Sequence, residues 1–203
     1  MRIAPNGAEL NSWVAKQVLD LGVYGIVWPH VSTVQEVRNA VAACRYPRPE
    51  SSPIYEPAGL RGDAPRAAAR YWGLGQQEYY KRADVWPLAP EGEILVVIMI
   101  EDAKGVKNLP TILDEVPGIG VVLIGEGDLS QDLGVPRQYE HPSVQEAMDS
   151  VLATCKARNI PCGQPHVDSK NVEQFIEKGY RWLMTAPERS FNALSLGRKT
   201  AGR

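Results

Sequence analysis

The sequence has little of what several classes of protein require. Lysine and arginine together number 22 against 24 aspartate and glutamate residues, a net charge of -2, so the basic excess typical of nucleic-acid binding is missing. The longest apolar run, residues 94–100, is far too short to cross a bilayer. We therefore expect no nucleic-acid partner and no membrane partner.

Cysteines are few, and signals for export or nucleotide binding are missing. Cys44, Cys155 and Cys162 form no CxxC pair, so we interpret them as reduced thiols that pack rather than react. The N-terminal stretch MRIAPNGAEL has no apolar signal core. Neither a GxGxxG motif nor a Walker phosphate loop occurs. These features predict a cytoplasmic protein that has neither a GxGxxG dinucleotide site nor a Walker-type nucleotide site.

What the sequence does have is an alternation of apolar strands with helical patterns. Five prolines in residues 45–65 exclude regular structure there. Strands that are nearly all apolar and are separated by helices are typical of a parallel sheet, in a (β/α) barrel or in a doubly wound fold. The predicted strands are 2–5, 23–29, 94–100, 119–124, 160–164 and 180–186. The predicted helices are 8–21, 34–44, 106–115, 142–157, 169–178 and 187–197. Shorter helical pieces are predicted within 65–73 and within 76–87.

Two of these strands run into acidic residues. Glu101 directly follows the strand at 94–100, and Asp128 follows the strand at 119–124. Catalytic groups of both architectures lie at the carboxyl ends of the strands, so we expect the two acids side by side. A single acid could equally cap the next helix. Two acids, with Gly125 and Gly127 allowing a close approach, indicate hard oxygen ligands for Mg²⁺ or Mn²⁺.

Residues 99–134, MIEDAKGVKNLPTILDEVPGIGVVLIGEGDLSQDLG, resemble the metal-binding core of the HpcH/HpaI aldolase/citrate lyase family, the class II pyruvate-dependent aldolases. That family has an IE strand end, then NL, then G-x-x-DLS and LG. The stretches LDLGVYGIVWPHVSTVQEVRNAVAACRYP, GLRG and HPSVQEAM resemble the family in the same order. The resemblance implies a TIM-type (β/α)8 barrel, an α/β fold, as a single domain over residues 1–203 with a proline-rich loop at 45–65.

The resemblance also implies a lyase. Glu101 and Asp128 would hold a divalent metal, Mg²⁺ or Mn²⁺ with Co²⁺ as a further option, and pyruvate or a related 2-oxo acid would bind there. The implied reaction is aldol cleavage or condensation of a 4-hydroxy-2-oxo acid, giving pyruvate and an aldehyde through a metal-stabilised enolate. The implied partners are these small molecules and further copies of the chain, in a homo-oligomer.

Further site residues follow from the same resemblance. Arg2 matches the arginine that stabilises charge on the keto oxygen, and Asp20 matches an aspartate paired with the family's catalytic histidine. The backbone N–H groups of Gly127 and Asp128 match those that hold the substrate carboxylate. Arg61 in GLRG matches a loop residue that helps to build a neighbouring subunit's site, and a solvated loop arginine is the other interpretation.

Two departures from the family pattern matter. Glu126 stands where proline is common. The first strand matches the family's third, so we expect an incomplete barrel that lacks about the first two β/α units, roughly 60 residues, and with them the catalytic histidine. His30 and His166 each follow a strand, where they could face the pocket or serve the structure, and His141 begins a helix as a structural residue.

Functions from different classes therefore remain open. The first is a metal-dependent 2-oxo acid aldolase. The second is a catalytically silent module that binds the metal and the oxo acid but lacks the base. A CoA-ester lyase of the citrate lyase type is a third, although no basic cluster for a CoA phosphate stands out.

Overall fold

The computed structural model describes residues 1–3, 12–185 and 191–203. Helices separate most of the strands, as the sequence predicts, although the strands Val85–Trp86 and Ile94–Ile100 follow one another directly. Within the described residues no helix combines the length and the apolar character that crossing a membrane requires. The helices are α1 (Ser12–Asp20), α2 (Val34–Ala43), α3 (Arg66–Tyr71), α4 (Gln76–Arg82), α5 (Ala103–Glu115), α6 (Glu126–Asp132), α7 (Pro142–Ala157), α8 (Val172–Lys178) and α9 (Asn192–Thr200), and the strands are β1 (Gly25–Trp28), β2 (Val85–Trp86), β3 (Ile94–Ile100), β4 (Val121–Ile124), β5 (Cys162–Val167) and β6 (Trp182–Thr185).

The chain divides into two compact units. The first consists of Met1–Met99 and Lys107–Gly120. Its strands are parallel: β3 pairs with β1 and with β2, and the N-terminal residues extend this pairing through a parallel bridge between Arg2 and Val27. All side chains of β3 except the partly buried Leu95 are buried, which explains why this strand reads as a continuous hydrophobic run.

The second unit consists of Ile100–Val106 and Val121–Arg203. Here β4, β5 and β6 are parallel neighbours in that order. All four residues of β4 are buried. Because neighbouring parallel strands end on the same edge, the residues that follow β4 and β5 lie near one another.

Several predicted elements are confirmed. The strand at 94–100 and the helix at 142–157 match β3 and α7. Helix α2 begins with a capping box, in which the Thr33 side chain accepts from the N–H of Glu36 and the Glu36 carboxylate accepts from the N–H of Thr33. Parts of the predicted strands and helices near the two termini, residues 4–5, 8–11 and 186–190, lie outside the described residues.

Two local predictions are wrong. The sequence predicts no helix between the strand at 119–124 and the helix at 142–157, but the structure has helix α6 there. The helical pattern expected over 76–87 ends with α4, and the last part of that stretch forms β2 instead. In both places pairing with the rest of the fold overrides the local propensity of a short segment.

The proline-rich loop at 45–65 contains no helix or strand, as predicted. One buried arginine holds it: Arg45 donates to the carbonyl oxygens of residues 54, 55 and 57 at 2.7, 3.2 and 2.8 Å. Arg45 also donates from Nε to Asp84 at 2.7 Å, and both side chains are almost fully buried. The guanidinium thus satisfies carbonyl groups that have no partner in a sheet or a helix.

All three cysteines are free and buried, as predicted. Burial raises the pKa of the Cys44 thiol to about 12, so this group stays protonated at neutral pH. A protonated, buried thiol behaves as a small apolar side chain, which agrees with the packing role.

Candidate active site

Glu101 and Asp128 come together in the second unit. Glu101 follows β3 and is only 3% exposed, whereas Asp128 lies in the first turn of α6 and is exposed. The backbone joins their elements, because the N–H of Gly125 donates to the carbonyl oxygen of Ile100 at 2.9 Å. One carboxylate oxygen of Glu101 lies within 4.8 Å of one of Asp128.

Gly125 makes room for the Glu101 carboxylate. A Cβ atom placed on Gly125 would collide with the Cγ, Cδ and Oε1 atoms of Glu101. The φ angle of Gly125 is -97°, which other residues also adopt, so space rather than backbone conformation requires glycine here. The glycine therefore helps to fix where the buried carboxylate lies.

The pair suits a divalent cation that prefers oxygen ligands. Two carboxylates at this separation can reach one ion and leave positions for water or substrate oxygens, which is how Mg²⁺ and Mn²⁺ bind in many enzymes. The residues present therefore fit the divalent metal that the sequence predicts.

Backbone donors lie at the same place. Leu129 gives its N–H to the carbonyl oxygen of Gly125 at 3.0 Å. The N–H groups of Gly127 and Asp128 precede this bond, in the first turn of α6, where helix geometry leaves the N–H groups without an intrahelical acceptor. Gly127 is also open, since an added Cβ would meet only the Tyr139 hydroxyl, at 3.9 Å.

A second polar cluster joins β4 to β5. The Glu126 carboxylate is buried and accepts at both oxygens, from Gln164 Nε2 and from His166 Nδ1, each at 2.6 Å. The side chain of His166 is 61% exposed. Its ring stacks on that of Tyr139, with centroids 5.9 Å apart. We call Glu126, Gln164 and His166 the Glu126 cluster.

Sequence reasoning noted Glu126 and His166 but missed that they are partners. The two residues are 40 positions apart, and only the pairing of β4 with β5 brings them together. The available signal was the combination of an unusual acid after one strand, in GEGDLS, with polar residues inside the next, in CGQPHV. Polar residues in an otherwise buried strand need hydrogen-bond partners, and Glu126 was a candidate partner for Gln164 and His166.

Arg61 and Asp20 meet in the first unit. Arg61 is 2% exposed, so the interpretation as a solvated loop arginine is wrong. Its Nη2 donates to Asp20 Oδ1 at 3.0 Å and to the Tyr79 hydroxyl at 2.7 Å. Its guanidinium lies over the Tyr46 ring, 4.4 Å from the centroid. Asp20 also forms an ion pair with Lys16.

The structure also describes the predicted residues Arg2, His30 and His141. Arg2 is exposed, in the N-terminal residues that pair with β1. His30 follows β1 in a left-handed conformation, with φ 54°. His141 is the N-cap of α7, and its Nδ1 accepts from the N–H of Ser143 at 3.3 Å, so the structural role predicted for it is confirmed.

The HpcH/HpaI aldolase/citrate lyase family model matches residues 1–187. The chain belongs to this family. Family membership accounts for the parallel α/β fold and for the order of the motifs along the chain.

Two relatives indicate the range of activities. The chain is 31% identical over 194 residues to 2-keto-3-deoxy-L-rhamnonate aldolase of Klebsiella pneumoniae, covering 95% of this chain and 66% of that protein. It is 33% identical over 170 residues to 4-hydroxy-2-oxo-heptane-1,7-dioate aldolase of Salmonella typhimurium, covering 81% of this chain and 56% of that protein. The chain thus spans less than two thirds of the length of either relative.

Solved structures of the family share the fold. An HpcH/HpaI aldolase/citrate lyase family protein from Burkholderia cenocepacia matches with a TM-score of 0.76 and 29% identity, over 99% of this chain and 71% of that one. An HpcH/HpaI aldolase from Desulfitobacterium hafniense matches with a TM-score of 0.73 and 24% identity, over 99% and 68% of the two chains. The second likeness concerns the fold alone.

Proposed function

We propose that this protein is a class II aldolase that uses Mg²⁺ or Mn²⁺, with Co²⁺ as a further option, to cleave a 4-hydroxy-2-oxo acid into pyruvate and an aldehyde. The observation that carries the proposal is the approach of the Glu101 and Asp128 carboxylates to within 4.8 Å beside Gly125. Aldolase names among the relatives support the same class of reaction.

Each part of the site has a task in this reaction. Glu101 and Asp128 would hold the cation, which supplies positive charge that polarises the keto group and stabilises the negative charge that C–C cleavage leaves there. The N–H groups of Gly127 and Asp128 would hold the substrate carboxylate, and this anchoring orients the bond to be broken. The roles of Arg2, Asp20 and Arg61 stay predictions from the resemblance.

We also propose where the protein acts, how it assembles and which small molecules it binds. We place the protein in the cytoplasm, as a homo-oligomer with the (β/α)8 architecture of its family, and with a small 2-oxo acid and an aldehyde as its partners. No observation on the described residues favours a CoA-ester substrate over these compounds, because the site combines carboxylates and backbone donors rather than a basic cluster.

Metal titration tests whether Glu101 and Asp128 bind the metal. Glu101→Gln and Asp128→Asn keep the size of each side chain but remove its charge, so each should weaken Mn²⁺ binding at least 10-fold, about 1.4 kcal/mol. Glu140→Gln, which neutralises an exposed acid on the loop before α7, is the control and should bind like the unaltered protein.

Isothermal titration calorimetry with Mn²⁺ measures all four proteins. Equal affinity in the two site variants and the control would refute the metal site. Metal and oxalate binding without any release of pyruvate would instead support the silent binding module.

A further inference from the structure

One cavity of the first unit is lined by more cations than carboxylates. It measures about 610 Å³ and lies between the start of the proline-rich loop, the GLRG segment at residues 59–62 and helix α4. Its charged lining residues are Arg48, Arg61, Asp63, Lys81 and Asp84, which all belong to this unit. An excess of positive charge on a concave surface attracts an anion.

The first ion-pair cluster at this cavity has two cations for one carboxylate. Asp20 accepts from Arg61 at 3.0 Å and also pairs with Lys16. The Arg61 side chain is fully buried, and that of Asp20 is mostly buried. One carboxylate therefore faces two positive charges, and a charge out of water is costly when nothing balances it.

A second cluster at the cavity has the same imbalance. Asp84 pairs with Arg45 at 2.7 Å and with Arg48 at 2.6 Å. The Arg45 side chain is fully buried, and that of Asp84 is almost fully buried. Asp84 also accepts from the N–H of Val85 at 2.8 Å, so its oxygens are shared among several donors. Within the described part of the chain, the two clusters together therefore lack two negative charges.

Arg61 also has donors without an acceptor. Its Nη2 donates to Asp20 and to the Tyr79 hydroxyl. Among the residues that the structure describes, its Nε and Nη1 have no hydrogen-bond partner. The Tyr46 hydroxyl, on the ring that the guanidinium covers, is likewise buried without a described partner. Buried donors without acceptors are uncommon in native proteins and indicate a bound ligand or an ordered water.

The wall of the cavity is held in place by the chain itself. The N–H of Arg61 donates to the carbonyl oxygen of Arg45 at 2.8 Å, which fixes the GLRG segment against the start of the loop. The rings of Tyr46 and Tyr80, which both line the cavity, pack edge to face with centroids 5.0 Å apart. A preformed cavity of this volume with aromatic walls is typical of a site for a small organic molecule.

We propose that this cavity binds a small organic dianion, with carboxylate or phosphate groups as its charged ends, as a second ligand of the protein. The dianion supplies the negative charge that the two clusters lack, and its oxygens accept from Arg61 and from the Tyr46 hydroxyl. Guanidinium groups form charge-assisted hydrogen bonds with carboxylate and phosphate oxygens alike. The inference does not depend on the aldolase proposal, because it uses residues of the first unit and no metal.

Titration of the metal-free protein tests this site alone. The full chain, dialysed free of divalent metal, is titrated by calorimetry with succinate, with glycerol 3-phosphate and with glycerol as the uncharged counterpart. At least one dianion should bind with a stoichiometry of one, and glycerol should not bind. Tighter binding of succinate would identify a dicarboxylate as the ligand, and tighter binding of glycerol 3-phosphate would identify a phosphate ester. Added salt should weaken the binding by screening the charges.

Two charge variants and a matched control locate the anion. Arg61→Gln removes a buried charge and its hydrogen bonds, so it should weaken dianion binding about 10- to 100-fold. Lys81→Gln removes an exposed charge at the cavity and should weaken binding about 2- to 5-fold. Arg70→Gln removes an exposed charge of the same unit that does not line the cavity, and it should bind like the unaltered protein.

Tyr46→Phe separates ligand binding from stability. The variant removes a buried hydroxyl that has no described partner, so the free energy of unfolding should not fall, whereas dianion binding should weaken about 2- to 10-fold. Tyr71→Phe, at an exposed position of α3, is its control and should change neither quantity.

The outcomes that would overturn the inference are distinct from those for the metal site. Absence of binding by both dianions at millimolar concentrations would refute the anion site. Equal dianion affinity in Lys81→Gln, Tyr46→Phe and their two controls would also refute it, and both variants keep this test available if Arg61→Gln does not fold. Either result would leave the assignment of Glu101 and Asp128 unchanged, because the titrations contain no metal.

Discussion

Replacing Gly125 by alanine should remove the metal site without unfolding the protein. The added Cβ would meet Glu101 Cγ, Oε1 and Cδ, all closer than any real carbon contact. These atoms all belong to the Glu101 side chain and none to the backbone, so we expect the carboxylate to move rather than the backbone. A non-ideal rotamer costs roughly 0.5–1.5 kcal/mol, and we expect a loss of stability in that range.

Gly125→Ala should weaken Mn²⁺ binding more than it lowers the stability of the fold. Loss of a group that only orients a ligand typically lowers metal affinity about 10- to 100-fold. Displacement of the Glu101 carboxylate, a proposed ligand, should weaken Mn²⁺ binding at least as much, by roughly 1.4–2.7 kcal/mol of binding free energy. Mn²⁺ affinity in Gly125→Ala should therefore fall by at least one order of magnitude.

Gly127→Ala is the matched control, two residues along in the same turn. Its Cβ would meet only the Tyr139 hydroxyl at an ordinary contact distance, 3.9 Å, and alanine favours a helix by up to about 1 kcal/mol over glycine. Calorimetry with Mn²⁺ and thermal unfolding of both variants are the assays. If Gly125→Ala bound Mn²⁺ as tightly as Gly127→Ala, the Glu101 carboxylate would not be a ligand.

The remaining predictions concern the first unit. Tyr79→Phe removes the buried hydroxyl that accepts from Arg61 at 2.7 Å, so it should lower the free energy of unfolding by about 1.5–3 kcal/mol. Tyr80→Phe removes a hydroxyl whose hydrogen bonds are exposed to solvent, so it should have little effect. Asp84→Asn should cost about 3–5 kcal/mol, because it leaves the buried guanidinium of Arg45 without its counter-charge. Burial favours the neutral acid, but arginine hydrogen bonds outweigh burial and hold the pKa of Asp84 below its usual value of 3.8; the stabilisation is thus complete above that pH and is lost as the pH falls through the lower, folded-state pKa. From the resemblance, Arg2→Lys should weaken oxalate binding to the metal-loaded protein, because an ammonium cannot reproduce the guanidinium fork.

Denaturant unfolding and ligand titration distinguish the outcomes. Equal stability of the Tyr79 and Tyr80 variants would contradict the buried hydrogen bond. A stability of Asp84→Asn that matches the unaltered protein at neutral pH would contradict the ion pair. Unchanged oxalate affinity in Arg2→Lys would show that this residue does not contact the oxo acid.

The elements with strong, extended patterns could be predicted from the sequence. The seven apolar residues of β3 and the long pattern of α7 gave correct bounds, because burial and periodicity agree over many residues. The short α6 could not be predicted, since GEGDLSQD has two glycines within or next to its first turn and little helix propensity. Its formation depends on where β4 ends and on what packs there.

The same distinction applies to the site. Glu101 and Asp128 could be proposed as partners because each follows an apolar strand, and strand ends meet at one edge. The bond between Glu126 and His166 could not, because it depends on the register of β4 with β5 and on the bulge that turns His166 outward. Neither the register nor the bulge leaves a local signal in the sequence.

Pyruvate release from a 4-hydroxy-2-oxo acid tests the central claim most directly. With Mn²⁺ the unaltered protein should release pyruvate, a chelator should abolish the activity, and added Mn²⁺ should restore it. Glu101→Gln, folded to the same extent, should stay inactive with Mn²⁺ present. Turnover that persists in the chelator, or in Glu101→Gln, would contradict the assignment of a metal-dependent aldolase.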